Sequence, residues 1–158
     1  MSKAKQKKQQ EDQFTFKLLE ISVNNFRISI PKDEYNIDAI TLEFGANFDI
    51  HPEKDLTTCN VHFRFLYPNE KDVAKPIVIM HIDIAYDFSV LELKRFSQEF
   101  DGKLGLDSYV HITLLSIAFS TSRGIVYERT RGYFPAKMLL PVINPRDLNL
   151  EILGKKGN

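Results

Sequence analysis

The feature that most restricts the possible folds is an uninterrupted alternation of apolar and polar residues between positions 40 and 50. The apolar members of this run are Ile40, Leu42, Phe44, Ala46, Phe48 and Ile50. The polar positions between them include Thr41, Glu43, Asn47 and Asp49. A period of two over so long a run is typical of a β-strand with one face buried and the other in water. The chain therefore needs a sheet with one apolar face and another element to cover that face.

Three further segments show the same period of two. Phe14–Ile30 alternates but changes phase at Leu19 and again at Asn24-Asn25. A one-residue slip turns every later side chain to the other face, so these changes predict a bulged or kinked strand, or else a hairpin that turns at Asn24-Asn25. Residues 61–67 and 77–90 form a third and a fourth strand. The short intervals between strands favour an up-and-down antiparallel sheet.

The residues that follow the strands predict helices. Leu91–Leu106 has no clear period, and we expect a short helix at Leu93–Phe100 within it. Asp107 or Ser108 then caps a long helix, which Gly132 closes. The main apolar face of this helix is predicted to carry Tyr109, Ile112, Leu115, Phe119 and Val126. We expect a single α+β domain over residues 14–153, between disordered tails at 1–13 and 154–158.

The long helix carries more apolar residues than one face can hold. Leu114, Ile117 and Ile125 fall outside its main apolar stripe. A helix that is apolar on more than one side has to bury against a second partner. The simplest second partner is another copy of the chain, so the sequence predicts an oligomer.

Composition argues against several classes of protein. Lys and Arg together number 21, as do Asp and Glu, so the net charge is zero and lacks the basic excess of most nucleic-acid binders. Nucleic-acid binding through Arg123, Arg129, Arg131 and the Lys-rich start is the weakest alternative. No apolar run approaches the ~20 residues that span a bilayer, and the first residues do not resemble a secretory signal. With Cys59 as the single cysteine, we expect a cytoplasmic protein.

The sequence contains no motif that predicts catalysis, a metal site or a cofactor. Its four histidines, at positions 51, 62, 81 and 111, are far apart and lack metal-ligand spacing. No glycine-rich phosphate loop or nucleophile motif occurs. Asp83 and Asp87 are the best candidates for paired acids, but they alternate with apolar residues and are better read as the solvent face of their strand. We therefore expect a protein that is not an enzyme.

The stretch after the long helix carries a family resemblance. Arg131-Gly132-Tyr133-Phe134-Pro135 leads into Leu139-Leu140-Pro141-Val142-Ile143-Asn144 and then Asp147-Leu148. This pattern resembles the SecB family of export chaperones, with Thr130 where that family has a serine. Ile84, Phe88 and Ser89 resemble a further segment of that family in the fourth strand. The resemblance covers about Phe14 to Leu153, and its specific motifs lie within Arg131–Leu148.

The resemblance implies a fold, an assembly and an activity. The fold is a four-stranded antiparallel sheet followed by a long helix and a short C-terminal helix. The assembly is a homotetramer, a dimer of dimers with the long helices between two sheets. The activity is ATP-independent holding of unfolded polypeptides, either for delivery to a translocase motor or as a dedicated chaperone of an antitoxin. The zero net charge and short C-terminal end differ from export-type members and weaken the expected link to a motor.

Two sets of residues follow as candidates for these roles. Client-binding candidates are apolar residues on segments without regular pattern: Tyr35, Tyr133, Phe134, Met138 and Leu139. Candidates for the oligomer interface are Tyr109, Ile112, Leu115 and Phe119. The rival hypothesis is a non-catalytic interaction module that keeps the fold and binds one folded partner. Neither hypothesis requires a cofactor, a metal, nucleic acid or insertion into a membrane.

Overall fold

A four-stranded antiparallel sheet carries one long helix on one of its faces. The structure, a computed structural model, describes residues 13–31, 36–133, 140–144 and 146. The sheet consists of β1 (Phe16–Ile28), β2 (Thr41–His51), β3 (Leu56–Tyr67) and β4 (Ile77–Val90), and a hairpin of β5 (Ser97–Phe100) and β6 (Lys103–Leu106) precedes the helix α1 (Ser108–Thr130). The predicted α+β fold is confirmed. The predicted tails and short C-terminal helix lie outside the described residues, apart from Gln13 and Arg146.

The order of the strands in the sheet is β1-β4-β3-β2, so the predicted up-and-down topology is wrong for its first connection. β2, β3 and β4 do form a meander. β1, however, pairs with β4 at one edge, and the chain then passes to β2 at the opposite edge. Sequence periodicity identifies strands but does not show which strands are neighbours, since the same alternation suits either edge of β4.

Two bulges in β1 confirm the phase changes read from the sequence. The pairing of β1 with β4 shifts register between Leu18 and Glu20, and again between Val23 and Asn25. Each shift inserts one residue that has no opposite partner, which returns the following apolar residues to the helix side. The chain continues straight through Asn24-Asn25, so the alternative hairpin at that point does not form.

The segment between the sheet and α1 corrects a second prediction. The helix expected at Leu93–Phe100 is a single 3₁₀ turn at Leu93–Phe96, after which the chain forms the β5–β6 hairpin. Asp101 and Gly102 make its two-residue turn, and both have positive φ. An Asp-Gly pair is one of the strongest hairpin signals because type I′ turns need two residues with positive φ. The sequence reading treated this pair as a helix end and missed the hairpin.

Helix α1 has the predicted ends but a different buried face. The Asp107 side chain accepts a hydrogen bond from the Tyr109 backbone N at 2.9 Å, and Gly132 has a φ of +85° just beyond the last turn. The residues that α1 buries are Val110, His111, Leu114, Leu115, Ala118, Phe119, Ser122, Val126 and Thr130. Tyr109, predicted to lie on this face, is on the opposite side of the helix. Leu114, predicted to lie outside it, is fully buried.

The error lies mainly in the first turns, where Tyr109 and Ile112 were chosen in place of the buried apolar residues Val110 and Leu114, and the buried face also contains polar residues. The Ser122 hydroxyl donates to the Ala118 carbonyl at 2.8 Å, and the Thr130 hydroxyl donates to the Val126 carbonyl at 2.7 Å. Their polar groups are thus satisfied inside the helix, and they can be buried at little cost. A pattern search that accepts only apolar residues leaves such residues out of the buried face.

The core lies between α1 and the inner face of the sheet. The Phe119 ring packs edge-on against Phe63 at 5.3 Å and Phe44 at 5.5 Å between ring centroids. Tyr86 and Ser122, both fully buried, join β4 to α1 through a 2.6 Å hydrogen bond between their hydroxyl oxygens. None of the described helices is long and apolar enough to cross a membrane.

The outer face of the sheet is polar along all four strands. Asp83 and Asp87 lie on this face, as their alternation predicts. His81 Nε2 is 3.0 Å from an Asp83 carboxylate oxygen, and the Thr58 hydroxyl donates to Asp87 at 2.6 Å. Within the described part of the chain, no three His, Cys, Asp or Glu side chains are placed to share a metal ion.

Candidate functional site

An aromatic cleft lies where the start of β1, the 3₁₀ turn and the first turns of α1 meet. It has a volume of about 780 Å³. Its lining residues are Gln13, Phe14, Thr15, Phe16, Arg95, Phe96, Asp107, Tyr109, Val110 and Thr113. Four of these ten side chains are aromatic. The two charged ones are Arg95 in the 3₁₀ turn and Asp107 at the start of α1. Five of the ten are polar or charged, so the cleft combines aromatic walls with groups that can form hydrogen bonds, as binding sites do.

Contacts between rings hold the walls of the aromatic cleft in place. Phe14 stacks on Phe16 with 5.2 Å between ring centroids, and it meets Tyr109 edge-on at 5.5 Å. Phe14 also lies 5.9 Å from Phe96. Phe16 in turn packs on the fully buried Phe88 at 6.2 Å, which anchors the cleft to the core. Aromatic pairs at these separations are attractive beyond the surface that they bury.

Backbone hydrogen bonds fix the three elements to one another. The Asp107 backbone N donates to the Phe96 carbonyl at 2.6 Å, so the start of α1 is tied to the 3₁₀ turn. The Leu91 backbone N donates to the Thr15 carbonyl at 2.9 Å, which ties the entry of β1 to the end of β4. The cleft is therefore a preformed surface rather than a gap between independent segments.

The charged groups of the cleft are already engaged within the chain. The Arg95 guanidinium lies over the Phe96 ring at 5.9 Å and pairs with Glu92 at 2.8 Å. The Asp107 carboxylate caps α1 through Tyr109. Neither group is presented as a bare charge, so the rings and Val110 supply the apolar contacts of the cleft while polar side chains lie between them.

The open side of α1 extends this surface away from the cleft. No charged residue other than histidine occurs between Ser108 and Ser122. The hydroxyls of Thr113 and Ser116 donate to the carbonyls of Tyr109 and Ile112, at 2.8 Å and 2.5 Å. Because these hydroxyls are occupied inside the helix, the open side of α1 presents little hydrogen-bonding capacity to water. We call the open side of α1 between Ser108 and Ser122 the uncharged helix face.

The edge strand β1 carries a third apolar surface. Leu18, Leu19 and Ile21 are exposed, with Leu19 at the first bulge. An edge strand also leaves one row of backbone donors and acceptors unpaired. Exposed leucines on such an edge favour pairing with another strand.

The segment after α1 returns along the helix. Leu140 is buried, and its carbonyl accepts a hydrogen bond from Arg123 Nε at 3.2 Å. Ile143 packs against the core, while Val142 between them points into solvent. This segment therefore covers part of the helix near its C-terminal half.

Of the predicted client-binding residues, the structure describes Tyr133 alone, and Tyr133 does not lie at the aromatic cleft. Tyr133 is 54% exposed, but it lies beyond the end of α1 opposite to the cleft. A helix of 23 residues is about 34 Å long, so Tyr133 and Tyr109 are far apart. The other four candidates, Tyr35, Phe134, Met138 and Leu139, lie outside the described residues.

The four predicted interface residues divide into two pairs. Tyr109 is 66% exposed and lines the aromatic cleft, and Ile112 is half-buried. Leu115 and Phe119 are 0% and 6% exposed and pack against the sheet of their own subunit. A second copy of the chain would therefore meet Tyr109 and Ile112 directly.

Sequence reasoning missed three of the four cleft rings. Phe14 and Phe16 were assigned to a strand core because they alternate, and Phe96 lies in a segment without a period. The available signal was the clustering of phenylalanines just outside regular elements, at the entry to β1 and before α1. Only the fold shows that these two places in the sequence meet.

Cys59 offers no reactive group. Burial raises the pKa of its thiol to about 12, so it stays protonated at neutral pH. A buried thiol of this kind is inert as a nucleophile and as a metal ligand.

Comparison with known proteins gives a fold but no family. The sequence matches no protein-family profile and no curated protein sequence. Among solved structures, the SecB-like chaperone Rv1957 of Mycobacterium tuberculosis, in complex with a ChAD peptide from the HigA1 antitoxin, matches with a TM-score of 0.53 and 16% identity. The match covers 81% of this chain and 90% of that chain, and it shows that the two share a fold.

A second structure in the comparison is less similar. It is a protein of unknown function from Streptococcus agalactiae, with a TM-score of 0.38 and 11% identity over 82% of this chain and 99% of that one.

Proposed function

We propose that this protein is an ATP-independent holdase, which binds unfolded polypeptide segments on the aromatic cleft. The observation that carries the proposal is the aromatic cleft. Its rings lie at the surface, and the contact of Phe16 with the buried Phe88 fixes them to the core. Burial of apolar surface contributes about 25 cal/mol per Å². A segment that covers on the order of 300 Å² would gain about 7.5 kcal/mol before its ordering entropy is subtracted.

The shape of the fold supports this proposal. A SecB-like chaperone has the same fold, and the matched structure contains a peptide from an antitoxin. The net charge of the present chain is zero, so it lacks the overall negative charge that would favour docking on a basic partner. We therefore propose that its clients are those of a dedicated chaperone in the cytoplasm, such as an antitoxin segment, rather than exported proteins bound for a translocase motor.

An aggregation assay tests the holdase proposal. Guanidinium-unfolded citrate synthase is diluted into buffer without ATP, and light scattering is followed with increasing amounts of this protein. We expect stoichiometric amounts to suppress the scattering. Tyr109→Ser, which removes an exposed ring of the aromatic cleft, should raise the amount needed by about fivefold, since one aromatic contact is worth about 1 kcal/mol.

The control is Val73→Ser, because Val73 is 90% exposed on the β3–β4 connection and apart from the cleft. It should behave like the unmodified protein. Unchanged scattering at stoichiometric ratio would refute the holdase proposal. If the protein then captured one folded partner, the interaction-module hypothesis would take its place.

We also propose a homotetramer, built as a dimer of dimers. Two separate surfaces support it: the exposed edge of β1 and the uncharged helix face. Each can meet the same surface of a second copy about a two-fold axis, and two different two-fold contacts generate a closed tetramer. Pairing two β1 edges about a point between Leu18 and Leu19 would also set Lys17 of one copy beside Glu20 of the other.

A further inference from the structure

His111 occupies an unusual position for a histidine. It lies in the first turn of α1 on the side that faces the sheet, and it is only 9% exposed. Its ring packs on Phe48 of the edge strand β2, with 4.8 Å between ring centroids. Its Nε2 is buried and has no hydrogen-bond partner among the described residues. A buried polar atom without a partner is rare in folded proteins and calls for an explanation.

No charged group on the neighbouring strands faces this imidazole. On β2, the helix-facing positions are apolar, and Glu43 and Asp49 lie on the outer face of the sheet. Cys59 on β3 and Tyr86 on β4 do point toward the helix. Burial raises the pKa of each to about 12, so both are uncharged at neutral pH.

The charged groups of the helix and the hairpin are engaged or exposed elsewhere. On α1, the nearest carboxylate is that of Asp107, which accepts the Tyr109 backbone N. On the β5–β6 hairpin, Glu99 and Lys103 are exposed. The site therefore accommodates a neutral imidazole and provides no acceptor for a charged one.

We propose that His111 is an acid-sensitive latch, which holds the first turns of α1 against β2 while its ring is neutral and releases them when the ring is protonated. A leucine or phenylalanine would fill the same space without an unpaired nitrogen. The latch affects the aromatic cleft because His111 lies on the same turns of α1 as residues that line the cleft. Tyr109, Val110 and Thr113 on the same turns line the aromatic cleft, so release of these turns distorts the cleft.

The direction of the effect follows from burial. Desolvation lowers the pKa of His111 below its ordinary value near 6.5 in the folded protein. The folded state therefore binds fewer protons than the unfolded state at mildly acidic pH. Stability is complete above about pH 6.5 and is lost as the pH falls below that value toward the folded pKa.

Thermal unfolding of the full chain at pH 7.5 and pH 5.5 tests the latch. The variants are His111→Phe, which keeps the ring and removes the nitrogens, and His51→Gln, whose original histidine is exposed. We expect the unmodified protein and His51→Gln to lose about 2–4 °C more in Tm on acidification than His111→Phe does. Equal losses in all three proteins would overturn the proposal.

A second measurement does not depend on a variant that folds. Histidine-ring NMR of the unmodified protein follows each imidazole between pH 7.5 and 5.5. The latch requires protonation of the His111 ring, below its ordinary pKa, to coincide with a change in the signals of the first turns of α1. A His111 ring that titrates near pH 6.5 without loss of structure would overturn it.

The effect on clients rests on the proposed holdase function and is measured separately. Client holding should weaken at pH 5.5 in the unmodified protein and be retained in His111→Phe. If no client is held at either pH while the Tm values behave as expected, the holdase proposal fails and the latch stands.

Discussion

At the scale of single residues, the Tyr86–Ser122 pair shows why small polar residues in a helix are hard to interpret. In the sequence, Ser122 is one of several small residues of the helix, and small side chains let another backbone approach closely. In the structure it is fully buried and its oxygen serves two partners, the Tyr86 hydroxyl and the Ala118 carbonyl. The first contact joins residues 36 positions apart. Nothing local to either residue predicts it, because it depends on the placement of α1 across β4.

Removal of the serine hydroxyl should destabilise the fold. Ser122→Ala leaves the Tyr86 hydroxyl buried without its partner, which costs about 1–3 kcal/mol. Tyr86→Phe should cost less, since Ser122 keeps its bond to Ala118. Combining the two substitutions should recover part of the loss, because no unpaired hydroxyl remains. Urea unfolding of the four proteins measures the coupling, and strict additivity would contradict this account of the pair.

At the scale of elements, the strands could be predicted because their alternation is long and strict. The bulges of β1 were predicted as well, since each one changes the phase of the apolar residues at Leu19 or Asn24. The β5–β6 hairpin was missed because four-residue strands are too short to show a period. The buried face of α1 was misplaced in its first turns, because the exposed Tyr109 is as apolar in the sequence pattern as the buried Val110 and Leu114. Local sequence pattern thus identifies long strands and helices. It fails where contacts between elements determine which residues are buried.

The start of α1 connects helix stability to the aromatic cleft. Asp107→Ala removes the side-chain cap from the Tyr109 backbone N and should lower the free energy of unfolding by about 1 kcal/mol. It should also weaken client holding, because Tyr109 lines the cleft. Asp107→Asn is the matched control, since asparagine caps a helix about as well as aspartate. Equal losses for both substitutions would indicate that the negative charge matters and not the cap.

At the scale of the whole molecule, two exposed surfaces are the basis of the proposed tetramer. β1 exposes Leu18, Leu19 and Ile21, and the open side of α1 lacks charge over four turns. The sequence predicted an oligomer from Leu114, Ile117 and Ile125. Leu114 turns out to be core and Ile117 and Ile125 are half-buried. The proposed assembly therefore rests on the exposed residues of β1 and on the charge-free side of α1 and not on these three residues.

Native mass measurement tests the assembly with one variant for each surface. Leu19→Glu places a carboxylate on the edge of β1, and Ser120→Glu places one on the uncharged helix face. Each should reduce the proposed tetramer to a dimer, because burial of a carboxylate without a partner is costly. The two together should give a monomer, while Val73→Glu on an exposed loop should stay a tetramer. A monomer in the unmodified protein would refute the proposed assembly.

The pairing of β1 with β4 also has a consequence for the order of folding. β2, β3 and β4 join neighbours along the chain, whereas Phe16 pairs with Val90 and Ile28 pairs with Met80. Contacts between distant residues form late because a long loop must close first. During synthesis, the first strand to leave the ribosome is therefore the last to find its place. For that interval the nascent chain resembles the kind of substrate that it is proposed to protect.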